Sequence, residues 1–165
     1  MANNEKIRAI VVTVSDTRRN EAEDVSGAVL VDLLIEMDAE IVDKIFVSDD
    51  FEDLRRRLFV LTERMDANLI LTTGGTGFAP RDNTPEATRA VIEREAQGLA
   101  EAMRLETLKK TPMAMLSRGI CGIRGKCLII NLPGSPKAVR ECFEVIKPVL
   151  PHAVNLISGN TKHNE

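Results

Sequence analysis

The sequence predicts a single α/β domain over residues 1–165, with an ordered core at about 6–158: a three-layer, doubly wound, mostly parallel sheet with helices on both faces. Short apolar runs alternate with amphipathic stretches of helical spacing, the signature of strand–helix–strand units. Each run ends in a loop of Ser, Asp, Asn or Gly, as expected at the carboxyl edge of an open parallel sheet, where ligands bind. The length of 165 residues suits one domain that buries roughly 70% of its unfolded surface.

In order, 7–14 is a continuous apolar run and reads as a central strand. Val25, Val29, Leu30, Leu33, Leu34 and Met37 recur at helical spacing, and 41–47 reads as a second strand. Asp50 suits a helix N-cap with Asp53 in the first turn, and Phe51, Leu54, Leu58, Leu61 and Met65 form the inner face of that helix. Leu69, Ile70 and Leu71 with two threonines make a third buried strand. Thr84-Pro85 fits the cap and first position of a helix expected over about 85–95, resuming after Gly98 towards 108. Segments 114–116 and 120–123 suggest a short hairpin or edge segment, and 128–132 is another buried strand. Ser135-Pro136 caps a helix whose inner face holds Val139, Cys142, Phe143 and Ile146. Pro148 kinks or ends it, and a short helix carries Val154 and Ile157 ahead of a loose tail at 159–165. Val149, Leu150, Val154, Leu156 and Ile157 cannot all face inward on one short helix, so apolar surface is left for a partner subunit.

Composition excludes several functions. A net charge of −3, no Trp or Tyr and only five Phe leave neither a basic surface nor an aromatic platform for nucleic acid. The N-terminal residues lack a basic-plus-apolar leader, and no apolar run approaches the ~18 residues of a membrane span. The three cysteines form no C-x-x-C pair and are expected as reduced thiols in a cytoplasmic protein, with Cys127 and Cys142 packed in the core. His152 and His163 are the only histidines, which argues against a histidine triad or zinc site.

The stretch 69–88, LILTTGGTGFAPRDNTPEAT, carries the strongest functional signal. Gly74, Gly75 and Gly77 bare the backbone where a parallel strand turns towards a helix, so main-chain N–H groups around Thr76 can approach an anion closely. A single glycine would serve a tight turn; three, with Asp82 close by, favour a ligand. No Gly-Lys-Ser/Thr follows and the dinucleotide fingerprint lacks its third glycine, so neither common nucleotide loop is present. A bare anion cradle beside a carboxylate matches phosphate-plus-magnesium chemistry. Ser15-Asp16, Ser48-Asp49-Asp50 and the loop Asn131-Leu132-Pro133-Gly134-Ser135-Pro136 end at the same sheet edge. Asp49 reads equally as a functional carboxylate or a solvated neighbour of the cap. With Thr84 as cap, Asp82 keeps a free carboxylate, and the Asn131 amide has the geometry to hydrogen-bond a planar heterocycle. Arg81, Arg118 and Lys137 are candidates to offset substrate charge.

TTGGTGFAPRDNTPEAT closely resembles the signature of the molybdopterin adenylyltransferase family, the MogA-type enzymes and the G domain of gephyrin. The resemblance continues through TVSD, AEDVSG, VIEREAQGLAEAMR, TPMAMLSRGICGIRGK and LIINLPGSPKAVRECF, from about 7 to 157. It implies the molybdopterin-binding fold and a step of molybdenum cofactor biosynthesis: transfer of AMP from ATP to molybdopterin, with Mg²⁺, giving adenylylated molybdopterin and pyrophosphate. It further implies that Asp49 and Asp82 hold or orient Mg²⁺, that Gly74 to Gly77 grip phosphate, and that Ser15, Thr107, Ser117 and Asn131, with the Pro133-Gly134-Ser135 loop, serve the pterin. A homotrimer and hand-off to a molybdenum-insertion protein are also implied. Gln97 stands where many relatives have proline and Asn83 where valine is frequent; neither touches the carboxylates. The alternative is a molybdopterin-binding or scaffold protein of the same fold without transferase activity. The intact PRD pattern argues against the first, and scaffolding by itself is not expected of a one-domain chain.

Overall fold

A computed structural model describes residues 5–161. Its centre is a six-stranded sheet in the order β2-β1-β3-β6-β5-β4, formed by β1 (Arg8–Val14), β2 (Glu40–Val47), β3 (Leu69–Thr73), β4 (Arg94–Glu95), β5 (Cys121–Arg124) and β6 (Cys127–Leu132). The first four in that order run parallel, and β5 and β4 extend the sheet antiparallel. Because successive strand residues face opposite sides, one face takes Ala9, Val11, Leu69, Leu71, Leu128 and Ile130, and the other takes Ile10, Val12, Ile70 and Ile129. The first face packs against α1 (Val25–Glu36), α4 (Gln97–Leu108), α5 (Pro136–Ile146) and α6 (Leu150–Ile157); the second packs against α2 (Phe51–Thr62) and α3 (Thr84–Arg89). This is the three-layer doubly wound arrangement expected from the alternation.

The strand order reverses at β1, since the chain leaves it for β2 on one side and returns to β3 on the other. The loops after β1 and β3 therefore diverge, opening a crevice at the sheet's carboxyl edge. Asp24, fully buried, caps α1 by accepting from the Gly27 N–H at 2.9 Å, and it accepts the Thr13 hydroxyl at 2.7 Å. Lys44 lies 3.1 Å from the same carboxylate. Burial lowers the lysine's affinity for its proton, but the Glu21 and Asp24 carboxylates outweigh this and the net shift is upward.

Several local expectations are corrected. The helix starting near Thr84 ends at Arg89 rather than near 95, because 93–96 is recruited to the sheet edge. There Glu93 N–H donates to Ile123 O at 2.9 Å and Ala96 N–H to Cys121 O at 2.8 Å. Gly122 makes this fit: a Cβ on it would lie 2.4 Å from the Ile92 side chain packed over β5. Residues 114–116 form no strand. They belong to a 3-10 helix (Pro112–Leu116) capped by the Thr111 hydroxyl, and the hairpin is β5–β6, turning through Gly125 at φ 55°. Met65 lies beyond the end of α2 and is 87% exposed. Cys121, Cys127 and Cys142 are all buried free thiols; burial pushes the first two up to about 12 and the third to about 11, which makes them core residues and poor nucleophiles. Val149 and Leu156 are exposed while Leu150 and Val154 are buried, so the C-terminal segment does leave apolar surface. His163 and the end of the tail lie outside the described residues. Among the described residues no helix is long and apolar enough to cross a membrane.

Candidate active site at the glycine loop

The loop after β3 is built on two glycines that no other residue replaces without strain. Gly74 has φ 100° and Gly75 φ 66°. A Cβ on Gly74 would lie 2.4 Å from Val14 O, and one on Gly75 2.3 Å from the Thr84 hydroxyl. Thr84 is therefore not a helix cap as expected. Its hydroxyl donates to Gly74 O at 2.9 Å and its N–H to Gly75 O at 3.1 Å, while Asn83 takes the cap position without a side-chain capping bond, its amide donating to Asp49 O at 3.0 Å. Pinning both glycine carbonyls to α3 leaves the loop's other side open. Gly75→Ala is expected to destabilise the fold by roughly 1–3 kcal/mol, through left-handed backbone and the lost Thr84 contact. Urea unfolding checks this, and wild-type stability would mean the loop relaxes freely.

Two carboxylates border this loop. A Cβ on Gly77 would stand 2.9 Å from Asp82 Oδ2, and one on Gly75 3.2 Å from Asp49 Oδ1, so both acids lie against backbone that carries no side chain. The expectation of a wholly free Asp82 is corrected: Oδ2 accepts from Ala79 N–H at 3.0 Å, a turn contact that leaves the acid beside Gly77. Asp49 is interlocked with Asp16. Asp16 N–H donates to Asp49 Oδ2 at 2.9 Å, and Asp49 N–H donates to Asp16 Oδ1 at 3.1 Å. Burial raises the Asp49 carboxyl, the Asp16 N–H opposes this, and the charges of Asp16 and Asp82 raise it further. Asp50 caps α2 as expected, accepting from Asp53 N–H at 3.0 Å.

Asp16 was not among the expected site residues, although its place straight after a strand was the available signal. It takes Arg81 Nε at 2.6 Å and the Ser48 hydroxyl at 2.8 Å, which hold its carboxyl down from 3.8 to about 2. The pairing thus stabilises the loop fully above pH 3.8 and is lost as pH falls through about 2. Arg81 is committed to Asp16 here.

A cavity of about 560 Å³ opens on the other side of the glycine loop. Of the expected residues, Gly75, Thr76, Gly77, Asp82, Thr107, Ser117, Asn131, Pro133, Gly134 and Ser135 line it, while Ser15, Gly74 and Asp49 do not. Ser15 instead accepts from the N–H groups of Thr17 and Arg18, stabilising the turn after β1. Ser135 accepts from Ala138 N–H as the α5 cap. Thr107 donates to Met103 O at 2.6 Å. The Asn131 amide is committed inward: it donates to Thr72 and Thr88 hydroxyls at 3.0 and 2.9 Å, and accepts from Ile120 N–H at 3.2 Å. With both donors used, it knits β3, β6 and α3 into the cavity floor. This corrects the expectation that its amide is available to donate to a heterocycle. The walls add Lys137, expected as a candidate to offset substrate charge, and Met103, Thr111 and Glu141, which carried no sequence signal of their own.

Among the described residues, no three Asp, Glu, His or Cys side chains gather closely enough to enclose a metal ion. Two carboxylates beside a bare loop suit a cation that completes its shell with ligand phosphates and water, the usual manner of Mg²⁺. The arrangement is a cavity bordered by glycine backbone with an acidic edge.

The chain is similar to known proteins over most of its length. Residues 10–152 match the family model described as "Probable molybdopterin binding domain". The chain is 41% identical to a molybdopterin adenylyltransferase of Helicobacter pylori, over 91% of this chain and 87% of that one. It is 49% identical over 94% of its length to the molybdenum cofactor synthesis protein cinnamon of Drosophila melanogaster, of which it spans 26%. Among solved structures, the molybdopterin biosynthesis enzyme MoaB of Thermus thermophilus superposes with a TM-score of 0.84 at 46% identity, covering 93% of this chain and 97% of that one.

Proposed function

We infer from its membership of the molybdopterin-binding domain family, to which the chain belongs, that this protein transfers AMP from ATP to molybdopterin, releasing pyrophosphate. The observation that carries the reading is the adjacency of a glycine-rich loop, two flanking carboxylates and a cavity of about 560 Å³. The cavity takes the pterin, and the main chain of Gly75 to Gly77 takes phosphate. Molybdopterin ends in a phosphate that is ionised at neutral pH, so its oxygen can attack the α-phosphate of ATP with no general base. That suits a site in which all three thiols are buried and His152 lines no part of the cavity. Catalysis reduces to alignment and charge neutralisation. Asp49 and Asp82 are the residues that would hold Mg²⁺, and the ion would neutralise charge building on the phosphates. Asn131, Thr107 and the 133–135 loop shape the pterin side, and Asn131 does so by fixing the floor.

The active form is a homotrimer. Supporting surface comes from α4 and the 3-10 helix, where Leu105 is 63% and Met115 65% exposed beside a shallow apolar depression shared with Leu108 and Ala114. Light scattering at micromolar concentration should give about three times the 18.2 kDa chain mass. A value of one chain mass would remove the trimer and leave the chemistry standing. The product passes to a molybdenum-insertion protein, in the cytoplasm.

Pyrophosphate release tests the reaction. It should require both ATP and molybdopterin, whereas a binding or scaffold protein of this fold would retain the pterin and release none.

A further inference from the structure

Arg118 stands between Ser117 and Gly119, both on the cavity wall, yet its guanidinium is turned to the glycine loop. Nε donates to Gly77 O at 2.7 Å, and Nη2 donates to Asp82 O at 2.6 Å. Nη1 pairs with Glu86 on α3, and the Arg118 N–H donates to Thr76 O at 2.8 Å. One side chain thus joins both ends of the exposed turn 78–81 to the helix that follows. Within that turn, the Asp82 carboxylate is held by the Ala79 N–H, and Asp82 N–H returns to Ala79 O at 2.9 Å.

We propose that Arg118 is a positioning residue for Asp82: by clasping the carbonyls of Gly77 and Asp82 against Glu86, it sets where the Asp82 carboxylate stands beside the phosphate cradle. The charge-offset role considered from sequence is displaced, because the guanidinium is occupied by two carbonyls and a carboxylate. A planar fork is needed to meet three acceptors at once; a lysine ammonium supplies the charge without the fork. The proposal rests on the adenylyltransferase reading for its kinetic arm and on the loop geometry alone for its structural arm.

Arg118→Lys keeps the charge and removes the fork. It is expected to lower kcat about 30-fold or more, leave the KM for molybdopterin within about threefold and raise the Mg²⁺ concentration at half-maximal rate. Glu86→Gln, which keeps both carbonyl bonds and loosens the anchor, should shift the same parameters less. Wild-type kcat in Arg118→Lys overturns the proposal, as does a pterin affinity that falls in step with kcat, which would make Arg118 a ligand. Hydrogen exchange without substrate provides the arm independent of activity: the Ala79 and Asp82 amides should exchange at least about tenfold faster in Arg118→Lys. Unchanged exchange overturns the clasp. If the wild-type protein forms no adenylylated pterin, the functional reading fails and exchange alone decides the positioning claim.

Discussion

Asp82→Asn should lower adenylylation by about three orders of magnitude, roughly 4 kcal/mol of transition-state stabilisation, while molybdopterin affinity stays within a few-fold. The substitution is close to isosteric, and the amide oxygen can still accept the Ala79 N–H, so the turn at 79–82 survives. What disappears is the negative charge beside Gly77, where a cation between carboxylate and phosphate would sit. An amide is a poor magnesium ligand, so catalysis suffers far more than binding. Loss of pterin affinity in proportion to rate would place Asp82 in the pterin site or in the fold instead.

Asp49→Asn is expected to cost about two orders of magnitude in rate, with a strong increase in the Mg²⁺ needed for half-maximal turnover. The asparagine oxygen can keep the Asp16 N–H contact, so again the charge is what changes. Burial and the neighbouring acids raise the Asp49 carboxyl above its ordinary value of 3.8. The ionised form is the one that meets a cation, so wild-type activity should fall with acid, at a higher pH than an ordinary aspartate would set. The Asp49→Asn protein should lose that limb of the profile. A magnesium titration and pH profile identical to wild type would leave Asp49 only its hydrogen bonds to the Asp16 loop.

The central parallel strands β1, β3 and β6 were legible because they are buried on both faces, so runs such as Leu69, Ile70 and Leu71 can belong to little else. Residues 93–96 were not, since VIEREAQ has helical composition and only the packing of Ile92 over Gly122 explains its capture by the sheet edge. The glycine loop and its carboxylates were readable because bare backbone beside an acid has few structural uses. The division of labour around them was not. Thr84 reads as a cap until its hydroxyl is seen on Gly74, Asn131 as a ligand until its amide is seen between Thr72 and Thr88, and Arg118 as loose charge until its fork is seen on two carbonyls. Each is a long-range polar contact, and hydrophobic periodicity carries no trace of it. Ser15, placed at the pterin by resemblance, lies outside the cavity lining and supports a turn.

In the proposed reaction the cavity and the phosphate cradle serve one group transfer. Mass analysis of the pterin pool after incubation with purified protein, molybdopterin and Mg-ATP tests it most directly. Molybdopterin should be recovered heavier by one adenylyl group, formed with pyrophosphate and abolished when magnesium is chelated. Molybdopterin recovered bound but unmodified, with ATP intact, would contradict it.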